Sequence, residues 1–155
     1  MKTTVLFSIL LIVTLFVGCD KNNDTPETTN ITLVEIGKNA LYGNGQEGVS
    51  QSNLVITNNS DWQNLMTQMN SVNNVTDEFF ETNIDFNQFE IIAVFDSIRP
   101  HNNFNVSISE ITENPIGIEI SIEKTNGDSG YVVMTQPFHI VKIPKSNKPV
   151  IFTRR

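Results

Sequence analysis

The chain has 155 residues, with seventeen acidic against ten basic side chains and a formal net charge of −7 at pH 7. This balance argues against nucleic acid as a partner and against electrostatic attachment to an anionic membrane surface. The single cysteine, Cys19, excludes an internal disulfide and a metal site built from several thiolates.

The first eighteen residues have the pattern of an export signal. Lys2 supplies a positive charge, and residues 5–17 form an apolar core that is short for a hydrocarbon layer of ~30 Å. Residues 15–19 resemble a bacterial lipobox, which implies cleavage before Cys19 and its acylation by fatty acids such as palmitate. An ordinary signal peptide and an uncleaved anchor are the alternatives. The favoured interpretation is a lipoprotein of the bacterial cell envelope, anchored through Cys19 to a membrane on its non-cytoplasmic side.

A polar segment separates this leader from the rest of the chain. Residues 19–30 are predicted to be a flexible tether, because the segment has almost no apolar side chains and cannot bury enough surface to offset the entropy of ordering. Residues 31–155 are long enough for one compact domain and too short for two ordinary ones. We therefore expect a single globular domain there.

The first elements of this domain are short. Residues 31–36 predict a strand, the Gly-rich residues 43–48 a loop, and residues 54–56 a second strand. The run Ser60-Asp61-Trp62-Gln63 matches a capping box, which predicts a helix with Ser60 as its N-cap.

One face of this helix is apolar. Its apolar side chains recur at helical spacing, at Trp62, Leu65, Met66 and Met69. Such a stripe is typical of packing against a core. A second, weaker helical turn is predicted over residues 75–80.

The second half of the chain is rich in strand patterns. Residues 89–95 are apolar at successive positions, which predicts a central strand covered on both faces. Residues 104–109 and 116–123 alternate apolar and polar side chains around a turn at Asn114-Pro115, so each strand has one buried face. Further strands are predicted at residues 131–134, 138–143 and 150–152.

The connections between these strands are too short for crossover helices, which favours antiparallel pairing. The predicted fold class is α+β. It consists of a mainly antiparallel sheet, either two-layered or a partly closed barrel, with one or two helices packed on it.

Three segments of the second half stand in a recognisable order. They are residues 91–95 followed by Arg99-Pro100, the alternating hairpin 104–123, and residues 135–145 followed by 148–152. Over residues 85–153 the chain resembles the C-terminal domain of the protease complex subunit PrcB family. The resemblance implies a small exported protein that associates with a surface protease and supports that complex without catalysing a reaction.

The chain departs from that family at one turn. Members commonly carry a Thr-Gly-Gly-Tyr-like turn after the Arg-Pro pair, where this chain has His101, Asn102, Asn103 and Phe104. Asparagine tolerates the left-handed backbone region better than most residues, so the turn is expected to persist.

Two segments beside strands carry proline and aromatic side chains suited to recognition. We expect a partner protein to contact Arg99, Pro100, Phe104, Pro137, Phe138 and His139. In the structural alternative, the prolines begin or end strands and the two phenylalanines belong to the core.

Few residues of the chain are candidates for catalysis or metal binding. Neither His101 nor His139 has acidic or cysteine residues at the spacing of a metal site, so we expect no metal and no cofactor. His139 lies in an apolar strand, which favours a partly buried imidazole bonded to the backbone over a catalytic one.

The charged residues leave two questions open. It is undetermined from sequence whether any pair among Asp85, Glu90 and Asp96 converges in a cleft. The basic residues near the end of the chain form either a patch for an acidic partner or charged gatekeepers that protect an edge strand from pairing with other chains. These residues are Lys142, Lys145, Lys148, Arg154 and Arg155.

These features predict a non-catalytic, lipid-anchored accessory or binding module that engages another exported protein. A surface protease complex is the partner that the resemblance implies. The alternatives are an inhibitor-like domain that occupies the cleft of a protease, and a small hydrolase that uses His139.

Overall fold

The computed structural model describes residues 27–127 and 130–155, so Cys19 and the leader lie outside the described residues. The described strands are β1 (Thr29–Asn30), β2 (Val34–Leu41), β3 (Ser52–Ile56), β4 (Phe89–Phe95), β5 (Arg99–His101), β6 (Phe104–Asn114), β7 (Gly117–Asn126), β8 (Val132–Pro144) and β9 (Val150–Arg154). Helix α1 spans Asn59–Met69, and the weaker helical turn predicted after it is a 3-10 helix at Val75–Glu78.

The strands form two sheets. The outer sheet has the order β1-β6-β7-β9, and the central sheet has the order β2-β8-β4-β3, with β5 paired to the beginning of β8. Both sheets are open, so the α+β class with mainly antiparallel strands is confirmed and a closed barrel is not formed. The pair β7–β9 is parallel, because β8 runs back through the central sheet and returns the chain to the end where β7 begins.

The central sheet is covered on both faces. On β4, Ile92 and Val94 belong to the apolar cluster between the two sheets. Ile91, Ala93 and Phe95 belong to a second cluster, which contains the buried face of α1. All five side chains are buried, which confirms the predicted central strand.

Helix α1 packs on the central sheet through the predicted stripe. Its buried side chains are Trp62, Leu65, Met66 and Met69. The indole Nε1 of Trp62 donates to the carbonyl of Thr82 at 2.8 Å, and the indole ring stacks on Phe79 with centroids 6.0 Å apart. Trp62 therefore satisfies its polar atom while filling the core.

The helix begins two residues earlier than the capping box predicts. Asn58 is the N-cap, and its Oδ1 accepts from the backbone amide of Asp61 at 3.0 Å. The prediction of Ser60 as N-cap was wrong. Asn58 offers the same kind of side-chain acceptor, and its use brings two more residues into the helix.

Other boundaries also differ from the predictions. Residues 29–30, expected in the tether, pair as β1 with β6, and the strand predicted at 31–36 lies instead at Val34–Leu41. The strands predicted at 131–134 and 138–143 are one continuous strand, β8. β8 continues through Pro137, whose carbonyl accepts from the backbone amide of Asp96 at 2.8 Å. The carbonyl of Asp96 accepts instead from Nε2 of Gln136 at 3.0 Å, so it does not need the N–H that proline lacks.

Candidate functional site

The residues predicted to contact a partner fall into an exposed and a buried group. Pro100 is exposed, Arg99 and Phe104 are half-buried, and Pro137, Phe138 and His139 are buried in β8. The buried side chains belong to the interior and are not available to a partner.

Phe138 is part of the aromatic core. Its ring centroid lies 5.9 Å from that of Phe95 and 6.1 Å from that of Phe79. Only 1 % of Phe138 is exposed, so its role is the structural one.

Arg99 is held by two neighbours on its own side of the molecule. Its Nε and Nη2 atoms lie 2.8 Å and 2.7 Å from Oδ2 of the buried Asp96, and its guanidinium lies 5.1 Å from the centroid of the Phe104 ring. Lys124 bonds the second carboxylate oxygen of Asp96. Arg99 and Phe104 therefore stabilise the loop that leads to β6.

The same contacts set the titration of Asp96. Burial alone would raise the pKa of this carboxyl, but hydrogen bonds from Lys124 and Arg99 outweigh burial. The pKa of Asp96 consequently lies below its ordinary value.

His139 connects the two sheets. Its Nδ1 accepts a hydrogen bond from the backbone amide of Ile108 on β6 at 2.8 Å. Nδ1 is therefore unprotonated, and Nε2 carries the proton and donates to Oε2 of Glu35 at 3.2 Å. Burial, and next the positive charge of Lys38, lower the pKa of His139, although Glu35 acts in the opposite direction. The imidazole is thus held neutral in one tautomer.

The described surroundings of His139 contain no hydroxyl bonded to the ring. Both ring nitrogens of His139 are engaged, and no hydroxyl of the described residues lies within hydrogen-bond distance of the ring. The nearby hydroxyl of Ser107 accepts instead from Nζ of Lys38 at 2.6 Å. The imidazole has a carboxylate beside it but, within residues 27–127 and 130–155, no hydrogen-bonded nucleophile to activate.

The turn that departs from the PrcB pattern is built differently from the expectation. Among the described non-glycine residues only Asn44 has positive φ, so Asn102 and Asn103 do not adopt the left-handed region. Their side chains bond the neighbouring segment: Asn102 Oδ1 accepts from the amide of Tyr131 at 2.9 Å, and Asn103 Nδ2 donates to the carbonyl of Gly127 at 2.6 Å. The two asparagines therefore hold the turn against Tyr131, just before β8, and against Gly127, just after β7.

The start of β8 carries exposed apolar side chains that sequence reasoning missed. Tyr131 is 82 % exposed and Val132 86 % exposed, while Met134 and, on β5, Pro100 are also exposed. We call Pro100, Tyr131, Val132 and Met134 the apolar tip. The sequence signal was the unbroken apolar run of residues 131–134, which is typical of a buried strand, and only the three-dimensional structure reveals that it is exposed.

The backbone at this tip has an edge that no described strand covers. β2 ends at Leu41, which pairs with Gln136, whereas β8 begins four residues earlier, at Val132. β5 pairs with this extension on the side that β4 occupies further along. The opposite edge of residues 132–135 has no strand partner among the described residues, and such an edge can pair with another chain.

The apolar tip lies far from the point where the tether joins the domain. β1 pairs with Thr112 and Glu113 of β6, whereas the tip adjoins the other end of β6, at Asn103. Eight residues of strand separate Thr112 from Phe104, a distance of about 27 Å. A domain held by its N-terminal segment would therefore present the tip away from the attachment point.

Within the described residues, the acidic side chains Asp85, Glu90 and Asp96 have separate surroundings. Asp85 accepts from Asn87 and Gln88, Asp96 pairs with Arg99 and Lys124, and Glu90 is buried apart from both. Most of the basic residues near the end of the chain are engaged individually: Lys142 by Glu81, Lys148 by Glu113, Arg155 by Glu110 and Lys145 by the carbonyl of Phe86. They are therefore not one continuous patch.

Within residues 27–127 and 130–155 there is no group of three or more His, Cys, Asp or Glu side chains placed to hold a metal ion. No helix in the same part of the chain is long and apolar enough to cross a membrane. Comparison with models of protein families, with curated proteins and with solved structures finds no match for this chain.

Proposed function

We propose that this chain is a non-catalytic, lipid-anchored binding module that engages another exported protein through the apolar tip. The observation that carries the proposal is the exposure of Tyr131 and Val132 at the start of β8. Large apolar side chains held outside the core at one end of a rigid sheet are a common mark of a protein interaction site.

The backbone supports a specific mode of binding. The edge of residues 132–135 that faces away from β5 can accept an added strand, and the exposed side chains of the tip can contact alternate side chains of that strand. The partner chemistry that fits is therefore an extended segment with apolar side chains. Backbone hydrogen bonds would supply affinity, and the tip would select the sequence.

The position of the tip agrees with a tethered accessory role. The tether predicted from the sequence would join the domain near Glu113, at the end of β6 remote from the tip. The tip would then reach outward from the membrane to an exported partner. An exported protease is the partner that the resemblance to the PrcB family implies.

The test is capture of the partner from native envelope. The lipidated wild-type protein is chemically crosslinked in cells and purified beside a double variant, Tyr131→Ser with Val132→Thr. Because both side chains are largely exposed, the variant should keep the wild-type melting temperature. We expect one exported protein with wild type and at least a tenfold lower recovery with the variant.

Ile116 provides the matched control. It is also a large apolar side chain, 76 % exposed, but it lies in the turn between β6 and β7 at the tether end. Ile116→Ser should leave recovery of the partner unchanged. Equal losses with the tip variant and with Ile116→Ser, or no specific partner with wild type, would contradict the proposal.

A further inference from the structure

A small pocket opens between the two sheets at the edge formed by β3 and β9. Its volume is about 280 Å³. Its polar lining side chains are Gln51, Ser52, Asn53, Lys124 and Arg154. No carboxylate is among the described lining residues, although the chain as a whole is strongly acidic. We call this cavity the inter-sheet pocket.

The pocket forms where the inward-facing residues of the strands change from apolar to polar or charged. On β7 the inward positions Ile118, Ile120 and Ile122 are apolar, and the next inward position is Lys124. On β9 the inward side chains Val150 and Phe152 are followed by Arg154.

The central sheet changes in the same way. On β4 the inward positions Ile92 and Val94 are followed by Asp96, and on β3 the residue opposite Val94 is Asn53. The apolar cluster between the sheets thus ends in a polar chamber that has side chains from both sheets.

The charges of this chamber do not cancel. The carboxylate of Asp96 is bonded by both Arg99 and Lys124. The negative charge of Asp96 is therefore matched by Arg99 as well as by Lys124, although neither Asp96 nor Arg99 lines the pocket. The guanidinium of Arg154 has no ion pair or hydrogen bond within the described residues, unlike its neighbour Arg155, which pairs with Glu110. The charged side chains that line the pocket are Lys124 and Arg154, so its walls carry two positive charges.

Hydrogen-bond donors are available beside these charges. The side-chain amides of Gln51 and Asn53 line the pocket without a hydrogen-bond partner in the part of the chain that the structure describes. An ammonium has three donor positions, and Lys124 uses one of them on Asp96. The pocket thus combines cationic and neutral donors on several of its walls.

We propose that the inter-sheet pocket binds a compact phosphoryl anion, either inorganic phosphate or the phosphate of a small monoester, between Lys124 and Arg154. A phosphate monoester carries about −1.5 to −2 charges at pH 7, which matches the two positive charges of Lys124 and Arg154 better than a single carboxylate does. The volume lies just below the range of pockets for drug-sized ligands, about 300 to 1,000 Å³, which favours a small ligand.

The phosphoryl group could belong to a dissolved molecule or to an anionic lipid. The pocket lies at the end of β7 near Lys124, whereas β1 joins the sheet near Glu113, at the other end. A tether at β1 would hold the pocket away from the membrane. We therefore assign the site to a dissolved phosphate or phosphate ester.

The experiment is a calorimetric titration of the full protein in an uncharged detergent at pH 7.5 and low salt. The soluble probes are inorganic phosphate, glycerol 3-phosphate and, as a singly charged control, acetate, and the lipid probe is phosphatidic acid in the detergent micelles. We expect both phosphates to bind at least tenfold more tightly than acetate. Arg154→Gln, which changes an exposed side chain, should weaken phosphate binding about tenfold. Arg155→Gln should not weaken it.

A second readout locates the bound anion. Phosphate should shift the amide resonances of Asn53 and Lys124 in the NMR spectrum of the wild-type protein. Phosphate binding no tighter than acetate binding, or equal losses with Arg154→Gln and Arg155→Gln, would overturn the proposal. Binding of phosphatidic acid in the micelles without binding of inorganic phosphate would also overturn it, because the site would then recognise a lipid surface.

Discussion

The backbone amide of Ile108 donates to Nδ1 of His139 at 2.8 Å, and this bond joins the outer sheet to the central sheet beside the apolar cluster between them. Protonation of Nδ1 would place two donors against each other and remove the bond. The groups around the ring are Glu35 and Lys38 on β2 and Ser107 on β6. The neutral imidazole is therefore required for this contact between the sheets.

The pH dependence of stability follows from this bond. The pKa of His139 in the folded protein is below its ordinary value of 6.5, so the unfolded chain binds the proton more readily. The stability contributed by neutral His139 is fully present above about pH 6.5 and is lost as the pH falls below it. We expect the free energy of unfolding, measured by urea denaturation, to decrease from pH 7.5 to pH 5.5.

His139→Asn should reduce that slope. The Oδ1 of asparagine can accept from Ile108 as Nδ1 does, but asparagine does not titrate. His101→Asn, which replaces the only other histidine, serves as the control. An unchanged slope in His139→Asn would show that His139 does not cause the pH dependence.

Asp96 is expected to contribute stability at neutral pH. Asp96→Asn removes a buried carboxylate that is bonded by Arg99 and Lys124, and should lower the free energy of unfolding by about 2 kcal/mol. Because the pKa of Asp96 is lowered from 3.8, this loss should be fully present above about pH 4 and should shrink as the pH falls towards the lowered pKa. Denaturation of both proteins at pH 7 and pH 3 measures the difference.

The matched control is Glu113→Gln, which breaks the more exposed pair with Lys148. It should cost less than about 1 kcal/mol at either pH. Equal effects of the two substitutions would contradict a special role for the buried carboxylate.

The N-cap of α1 can be located by mutation. Asn58→Ala should cost about 1 kcal/mol, because the amide of Asp61 loses its side-chain acceptor. Ser60→Ala should change stability by less than about 0.5 kcal/mol, since Ser60 lies within the helix and is exposed. If thermal melting shows a larger loss of stability with Ser60→Ala than with Asn58→Ala, Ser60 is the N-cap, as the capping box predicts.

Gly37 marks the closest approach of β2 to the aromatic core. A Cβ atom at this position would lie 2.5 Å from Cδ1 of Phe79, so Gly37→Ala should cost about 1 to 3 kcal/mol by overpacking. Phe79→Leu narrows the side chain that is in the way. The double variant should lose less unfolding free energy than the sum of the losses of the two single variants. A loss equal to that sum would mean that the two residues do not compete for space.

Sequence reasoning worked best where local pattern and tertiary environment agree. The apolar positions of β4 could be predicted, because a strand buried on both faces is apolar at successive positions. The stripe that contains Trp62 on α1 could be predicted, because a helix buried on one face has apolar residues at helical spacing. The parallel pair β7–β9 could not, since it depends on the path of β8 through the other sheet.

The candidate site shows the same division. Phe138 and Val132 are both apolar residues of β8, yet one is in the core and the other is in solvent. Phe138 packs against Phe79 and Phe95 from distant segments, whereas Val132 lies in the part of β8 that extends beyond the last pairing with β2, that of Leu41 with Gln136. The sequence pattern of residues 131–138 therefore cannot show which of its apolar side chains are buried.

The most direct test of the proposed binding surface is a site-specific photocrosslink in the native envelope. A photoreactive amino acid replaces Val132 in the tip in one strain and Ile116 at the tether end in another. We predict a covalent adduct with one exported protein at position 132 and not at position 116. Absence of an adduct at position 132, or the same adduct at both positions, would contradict binding through the apolar tip.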